Sequence, residues 1–261
     1  MKKAEVYVLK KLSWVSISCL VLLTSCASTR ATHPDPEDSA GTQSALASKI
    51  NKRTTNIVFV RHAQTVANLT HEYSSYTEST FSDDGKKQVE DLAGKLRGVD
   101  FDVILVSPTW RTQNTILPYL KAQTGRVAEI WPELTECCWQ AHTDKPTYAI
   151  DDPNVVLPRT KLIQLEDKDH FVFRDKDSTL EYDWPEKNYA DGMLQVQKAY
   201  QMITDRFADG NKTILIVCHH LAGTRLLDLL QGNEPTGETY VENAEPWLLQ
   251  ARPDGVFVRI P

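Results

Sequence analysis

NIVFVRHAQTVAN, Asn56 to Asn68, passes from four apolar β-formers straight into an arginine and a histidine. Ile57, Val58, Phe59 and Val60 have the composition of a central strand covered on both faces. Arg61 and His62 then fall at its carboxyl end. In open α/β sheets that rim is where ligands bind. A strand that should be dry thus ends on two side chains that call for water or an anion.

Outward from this stretch, the chain alternates helices and strands. Residues 82–96 carry Val89, Leu92, Ala93 and Leu96 at helical spacing, with Ser82 as N-cap. Residues 101–107 read as a second buried strand. It runs into Ser107-Pro108, an N-cap and first helical residue, and that helix carries Arg111, Thr115 and Leu120. Pro118 lies inside it as a source of a kink. A third helix is expected over 190–209, a third buried strand over 213–218 ending on His219, and a fourth helix over 221–231. Residues 247–260 form a closing hairpin that turns at Asp254-Gly255. This alternation predicts a mostly parallel central sheet with helices on both faces, a three-layer α/β/α domain over 54–261. Residues 141–187 are polar and dotted with proline. They are expected to stay out of the sheet, as an insertion over its ligand-binding rim. Trp139, Tyr148, Phe171, Phe173, Tyr182 and Trp184 either line a pocket there or form that segment's own small core. Arg159, Lys161, Arg174 and Lys176 either grip an anion or face solvent.

Lys2, Lys3, Lys10 and Lys11 precede an apolar run, 12–23, that is short for a membrane span. Residues 1–25 thus have the layout of an export signal. Leu23 to Cys26, "LTSC", resembles the bacterial lipobox. The resemblance implies cleavage before Cys26 and lipidation of its sulfur, and several acyl chains anchor stably where one does not. A plain secretory signal or an uncleaved anchor is the alternative. Residues 26–53, rich in Ser, Thr, Ala and Pro at their start, read as a tether with a reach of about 30 Å if flexible. Ala27 after the cysteine implies, by the same resemblance, the periplasmic face of the outer membrane. The formal net charge of -6 argues against nucleic acid as a partner. Cys137, Cys138 and Cys218 fit no disulfide framework and read as buried thiols. No ligand spacing suggests a metal site, and no cofactor is expected.

Three strands end in candidate chemistry: Arg61-His62, Arg111 one turn into a helix, and His219. Parallel strands end on one rim, so these groups can converge. Two guanidiniums and two imidazoles call for an anion, and phosphate suits the forked arginine geometry. Here the sequence resembles the histidine phosphatase superfamily, the branch with the cofactor-dependent phosphoglycerate mutases. RHAQTVAN looks like its Arg-His-Gly-Glu-Thr-x-x-Asn signature, FSDDGKKQ like its Leu-Thr-x-x-Gly-x-x-Gln helix start, and SPTWRTQNT like its Ser-x-x-x-Arg-x-x-x-Thr. LTE (134–136) and VCH (217–219) sit at the places of its acidic residue and second histidine, and the hairpin led by Asn243 at its close.

The resemblance implies that His62 is the nucleophile, that Arg61, Arg111 and His219 hold the phosphoryl oxygens, and that Glu136 protonates the departing alcohol. Thr65 and Asn68 are secondary contacts. Glu133, one turn from Glu136, is the alternative acid. Independently of the resemblance, an imidazole attacks only through an unprotonated nitrogen, so its other nitrogen must be held, as by a backbone carbonyl. Three positions depart from the pattern. Ala63 and His220 replace common glycines, which costs about 1–2 kcal/mol if either backbone needs φ > 0, and Gln64 replaces a glutamate. The expected protein is an exported, membrane-tethered phosphomonoester hydrolase with a phosphorylated small-molecule or macromolecular substrate. A mutase of the same fold and a phospho-ligand-binding lipoprotein without turnover are the alternatives. The oligomeric state is open.

Overall fold

The computed structural model describes residues 43–139, 160–162, 164–174, 181–183, 189–207 and 210–261. The expected signal peptide, Cys26, the tether as far as residue 42, and residues 140–159, 163, 175–180 and 184–188 lie outside the described residues.

The domain opens with α1 (Ala45–Lys49), a single turn capped by Ser44. Leu46, Ala47 and Ile50 pack against the main core, and the Ser44 amide donates to the Arg97 carbonyl at 3.1 Å. These residues, expected to belong to the tether, pack against the domain's core. Two apolar side chains one turn apart are enough to dock so short a helix.

Then follow β1 (Asn56–Arg61), α2 (Val66–Thr70), α3 (Ser75–Glu78), α4 (Asp83–Lys95), β2 (Val103–Val106), α5 (Trp110–Lys121) and β3 (Ala128–Ile130). The second half holds β4 (Thr160–Leu162), β5 (Phe171–Phe173), β6 (Glu181–Asp183), α6 (Tyr189–Arg206), β7 (Thr213–Cys218) and α7 (Leu221–Leu230). β8 (Trp247–Ala251) and β9 (Phe257–Ile260) close the chain as a hairpin, with Gly255 at φ 84° in the expected turn. Among the described residues, the main sheet runs β5-β3-β2-β7-β1-β8-β9. Its first five strands are parallel, and β8 and β9 are antiparallel.

Strand side chains alternate between two cores, as a period of two requires. Val58, Val60, Ile104, Val106, Leu215 and Val217 pack with Leu92 of α4, its C-cap Leu96, and Ile116 and Leu120 of α5. Ile57, Phe59, Leu105, Ile214 and Ile216 pack with Val196 and Ile203 of α6 and Leu226 and Leu227 of α7. This is a three-layer α/β/α fold. Every residue of β1 and of β7 is buried, because helices cover both sides of the sheet.

Residues 141–187 do not stay wholly outside the sheet. Phe171–Phe173 pairs in parallel with β3 and forms one edge. Phe171 is buried in the main core, so apolar burial draws this piece of a polar segment onto the sheet. β4 and β6 pair with each other as a separate antiparallel ladder.

The register sets the site. Arg61 lies opposite Cys218, and Val106 opposite Val217, so β1, β7 and β2 end side by side. α4 and α5 lie on one face and α6 and α7 on the other, so the crevice between them opens at that rim.

Candidate active site

His62 continues the β1–β7 ladder: its amide donates to the Cys218 carbonyl at 2.9 Å. The Asn243 side-chain amide donates to the His62 carbonyl at 2.7 Å, and the Ala244 amide to the Arg61 carbonyl at 2.9 Å. The imidazole is buried, with Nδ1 2.8 Å from the Ala63 carbonyl. A carbonyl only accepts, so Nδ1 carries the hydrogen and Nε2 keeps its lone pair. The held nitrogen expected from the sequence is thus in place. Burial, then the charges of Arg111 and Arg61, hold His62 well below the usual imidazole range, against the opposing bond to Ala63. It is neutral at physiological pH.

His219 stands beside it, the two ring centroids 5.3 Å apart at 64°. Arg111 Nε donates to His219 Nδ1 at 3.3 Å, which leaves Nε2–H to donate to Ser107 Oγ at 2.7 Å. Burial, then Arg111, His62 and Arg61, push His219 well below the usual range as well. The resemblance assigns His219 to a phosphoryl oxygen. In this arrangement both ring nitrogens are taken, and His219 acts on Arg111.

Ser107 was expected to cap a helix starting at Pro108. α5 instead begins at Trp110 with Thr109 as its N-cap, and Ser107 turns its hydroxyl to His219. A buried imidazole N–H without an acceptor costs more than a cap is worth. Thr115, one turn beyond Arg111, accepts from the Ala63 amide at 2.9 Å and donates to the Arg111 carbonyl at 2.6 Å. It ties the β1 exit to α5. Pro118 sits inside α5 without ending it.

Arg61 is 9 % exposed. Its Nη1 donates to the Val241 carbonyl at 3.1 Å, and its Nε has no protein partner among the described residues. Burial lowers its pKa and the charge of Glu136 opposes the shift. Thr65 and Asn68 form a capping box at the start of α2: each backbone amide donates to the other's side chain, and the Thr65 hydroxyl donates to Asn68 Oδ1 at 3.0 Å. Thr65 is thereby used up in holding Asn68, whose amide nitrogen stays available. The loop is fixed from α4, where Ser82 caps as expected and donates to Gln64 Oε1 at 2.7 Å. Gly85 lets that helix approach. A Cβ there would lie 2.0 Å from the Gln64 carbonyl oxygen.

Of the two candidate acids, Glu136 belongs to the site. Its carboxylate accepts from the amides of Ala222 at 2.8 Å, Leu221 at 3.3 Å and Cys137 at 3.2 Å, at the amino end of α7 beside His219, and its charge reaches Arg61. Glu133 faces away, paired with Arg174 at 2.7 Å and Lys198 at 3.0 Å. Burial pushes its carboxyl up, but those two cations hold it below the usual range. Arg174 is thus paired with Glu133. The glycine replacements cost nothing in backbone strain: neither Ala63 nor His220 lies at positive φ. Cys137, Cys138 and Cys218 are buried, as expected, and burial pushes the Cys218 thiol up.

Sequence reasoning missed Ser107 as a partner of His219, Asn243 as the clamp on His62, and Glu78, whose carboxylate lies 3.8 Å from Arg111 Nη1. Ser107 and Asn243 both stood in the recognised motifs, which was the available signal. Nothing in the sequence singled out Glu78.

A family model for the histidine phosphatase superfamily (branch 1) matches residues 57–256. The chain belongs to that superfamily. Among solved structures it is similar to the alpha-ribazole phosphatase from Shigella flexneri, at 18% identity and TM-score 0.54 over 78% of this chain and 94% of that one. It is also similar to a phosphoserine phosphatase from Entamoeba histolytica, at 18% identity and TM-score 0.51 over 79% and 95%. A phosphoglycerate mutase from Bacillus anthracis matches at 18% identity and TM-score 0.50 over 80% and 93%. At such identities the likeness is one of fold. No curated protein sequence matches the chain.

Proposed function

We propose that the chain is a phosphomonoester hydrolase that works through a phosphohistidine on His62. The observation that carries this reading is the bare Nε2 of a neutral, buried imidazole, held by Ala63 between two guanidiniums. Nε2 bonds to phosphorus as the ester P–O bond breaks, and the departing oxygen takes the proton of the Glu136 carboxyl group. Water then attacks the phosphorus and gives a proton to the Glu136 carboxylate, and the N–P electrons return to Nε2. Arg61 Nε and Arg111 hold the equatorial oxygens, where charge gathers in the transition state. His219 sets the angle of Arg111, and the Asn68 amide supplies a further donor. Because the Glu136 carboxyl must start the cycle with its proton, hydrolysis should run best at acidic to neutral pH.

The full-length protein in detergent, given p-nitrophenyl phosphate, should release inorganic phosphate. Rapid quenching should trap an acid-labile, base-stable phosphoprotein. His62→Ala should abolish both, and undiminished release by that variant would refute the assignment. Transfer of phosphate to a product instead of release would mark a mutase. A lipid anchor on Cys26, at the periplasmic face of the outer membrane, is part of the same proposal and rests on residues 1–26 alone. Cys26→Ser should move the protein from the membrane to the soluble envelope fraction. Retention in the membrane would refute the anchor.

A further inference from the structure

Three side chains at the mouth of the site have no part in the chemistry above. Glu78, at the end of α3, puts Oε1 3.8 Å from Arg111 Nη1, a distance at which charges are felt but no hydrogen bond forms. Its side chain is 43% exposed. Tyr73 precedes α3, and Tyr240 comes from the loop before β8 with its ring 5.8 Å from that of His220. Both tyrosines are large and solvent-exposed, 58% and 67%, and both lie within electrostatic range of Arg61. Two separate segments of the chain thus bring a carboxylate and two aromatic side chains to the edge of the site.

The charges decide what fits there. Two guanidiniums are set against the carboxylates of Glu78 and Glu136, and His62 and His219 are neutral, so these six groups carry no net charge. A phosphomonoester dianion leaves the set strongly negative. With Glu136 protonated as the acid, it is still negative. Arg111 then has the dianion as its partner, and Glu78 is left beside like charge. A neutral aromatic alcohol would stack on the tyrosines but would do nothing for Glu78. An ammonium group answers both, since it pairs with the carboxylate and is attracted to the tyrosine faces.

We propose that the substrate is the phosphomonoester of an amino alcohol, its ammonium group held by Glu78 between Tyr73 and Tyr240. This rests on the hydrolase reading. The test compares kcat/KM of the full-length protein for phosphocholine and for 3,3-dimethylbutyl phosphate, which has the same shape without the charge. p-Nitrophenyl phosphate serves as the baseline. Phosphocholine should be favoured by about tenfold or more, and raised salt should shrink the preference. Glu78→Gln should bring the ratio to about threefold or below, and Tyr73→Leu with Tyr240→Leu should lower it too. A ratio near one, or a preference that survives Glu78→Gln, overturns the inference. Turnover of p-nitrophenyl phosphate with a ratio near one sinks this inference alone, whereas no turnover of any of the three esters sinks the hydrolase reading and this one with it.

Discussion

Burying two neutral histidines among cations makes the fold sensitive to acid in a way that can be measured. His62 and His219 are held well below the usual imidazole range in the native state, and in the unfolded chain both titrate near the ordinary value of about 6.5. Below that pH the unfolded chain binds two protons that the native site refuses. Their contribution to stability is therefore complete above the unfolded value and is lost as the pH falls toward the native ones. Over pH 6.5 to 5.0 the two histidines together should remove a few kcal/mol, on the order of 1–2 kcal/mol each. That is a large share of the 5–15 kcal/mol typical of a domain. Glu129, paired with Arg206, and Glu133 also lose their advantage in acid, but chiefly below the ordinary carboxylate range, and they cancel between variants. Urea unfolding of the wild type, His62→Gln and His219→Gln at several pH values in this window separates the terms. Each variant should show about half the wild-type pH dependence of the histidine pair, whatever its absolute stability. Parallel lines for all three proteins would refute the claim that these imidazoles are buried neutral, and with it the bare nucleophilic nitrogen. If the claim holds, activity should persist at pH 5, where a solvent-exposed histidine would be protonated.

Ser107→Ala leaves the His219 Nε2–H without an acceptor and should cost about 1–3 kcal/mol of stability. Because Arg111 loses its brace, kcat/KM should also fall about tenfold or more, and the NMR signature of the His219 tautomer should change. An unchanged imidazole spectrum would show that Ser107 does not position the ring. Glu136→Gln should lower kcat about 100-fold or more on alkyl phosphates, whose leaving oxygen needs a proton. Glu133→Gln should instead leave turnover near wild type and cost about 1–3 kcal/mol of stability through Arg174 and Lys198. Steady-state rates with denaturation curves distinguish the two, and a reversed pattern would make Glu133 the acid. Gly85→Ala sets a Cβ against the Gln64 carbonyl oxygen. It should destabilise by about 1–3 kcal/mol and lower kcat/KM, since the displaced loop carries His62.

What could be read from the sequence follows from how local each determinant is. β1 and β7 are legible because every residue in them is buried, so their apolar runs need no partner to interpret. Ser82 is legible as a cap because α4 begins on its own hydrogen bond to Gly85. Ser107 is not, because the residue that claims its hydroxyl is His219, more than a hundred positions away. The choice between Glu133 and Glu136 was open for the same reason. Both lie near one tight turn, and only the positions of Arg174, Lys198 and the amino end of α7 separate them. β5 escaped because three residues carry too little periodicity to outweigh polar surroundings, while the pairing with β3 and the burial of Phe171 decide it. α1 escaped likewise, its one turn being stabilised by docking and not by propensity.

The guanidinium of Arg61 shows how a fold can hold an unfavourable group in place for a ligand. Its buried Nε lacks a protein partner among the described residues, while Nη1 has only the Val241 carbonyl. An unmet donor of this kind costs about 1–3 kcal/mol. The strand cannot relax the strain, because Arg61 is locked in register with Cys218 and its own carbonyl is bonded to Ala244. A bound phosphoryl group would meet that donor and also the positive charge that Glu136 only partly offsets. Anion binding and folding are therefore coupled at this residue. Inorganic phosphate should raise the midpoint of thermal unfolding in the wild type and do so much less in Arg61→Met, which keeps the length of the side chain without the donor. Equal stabilisation of both proteins would place the anion elsewhere and leave the buried guanidinium without its reason.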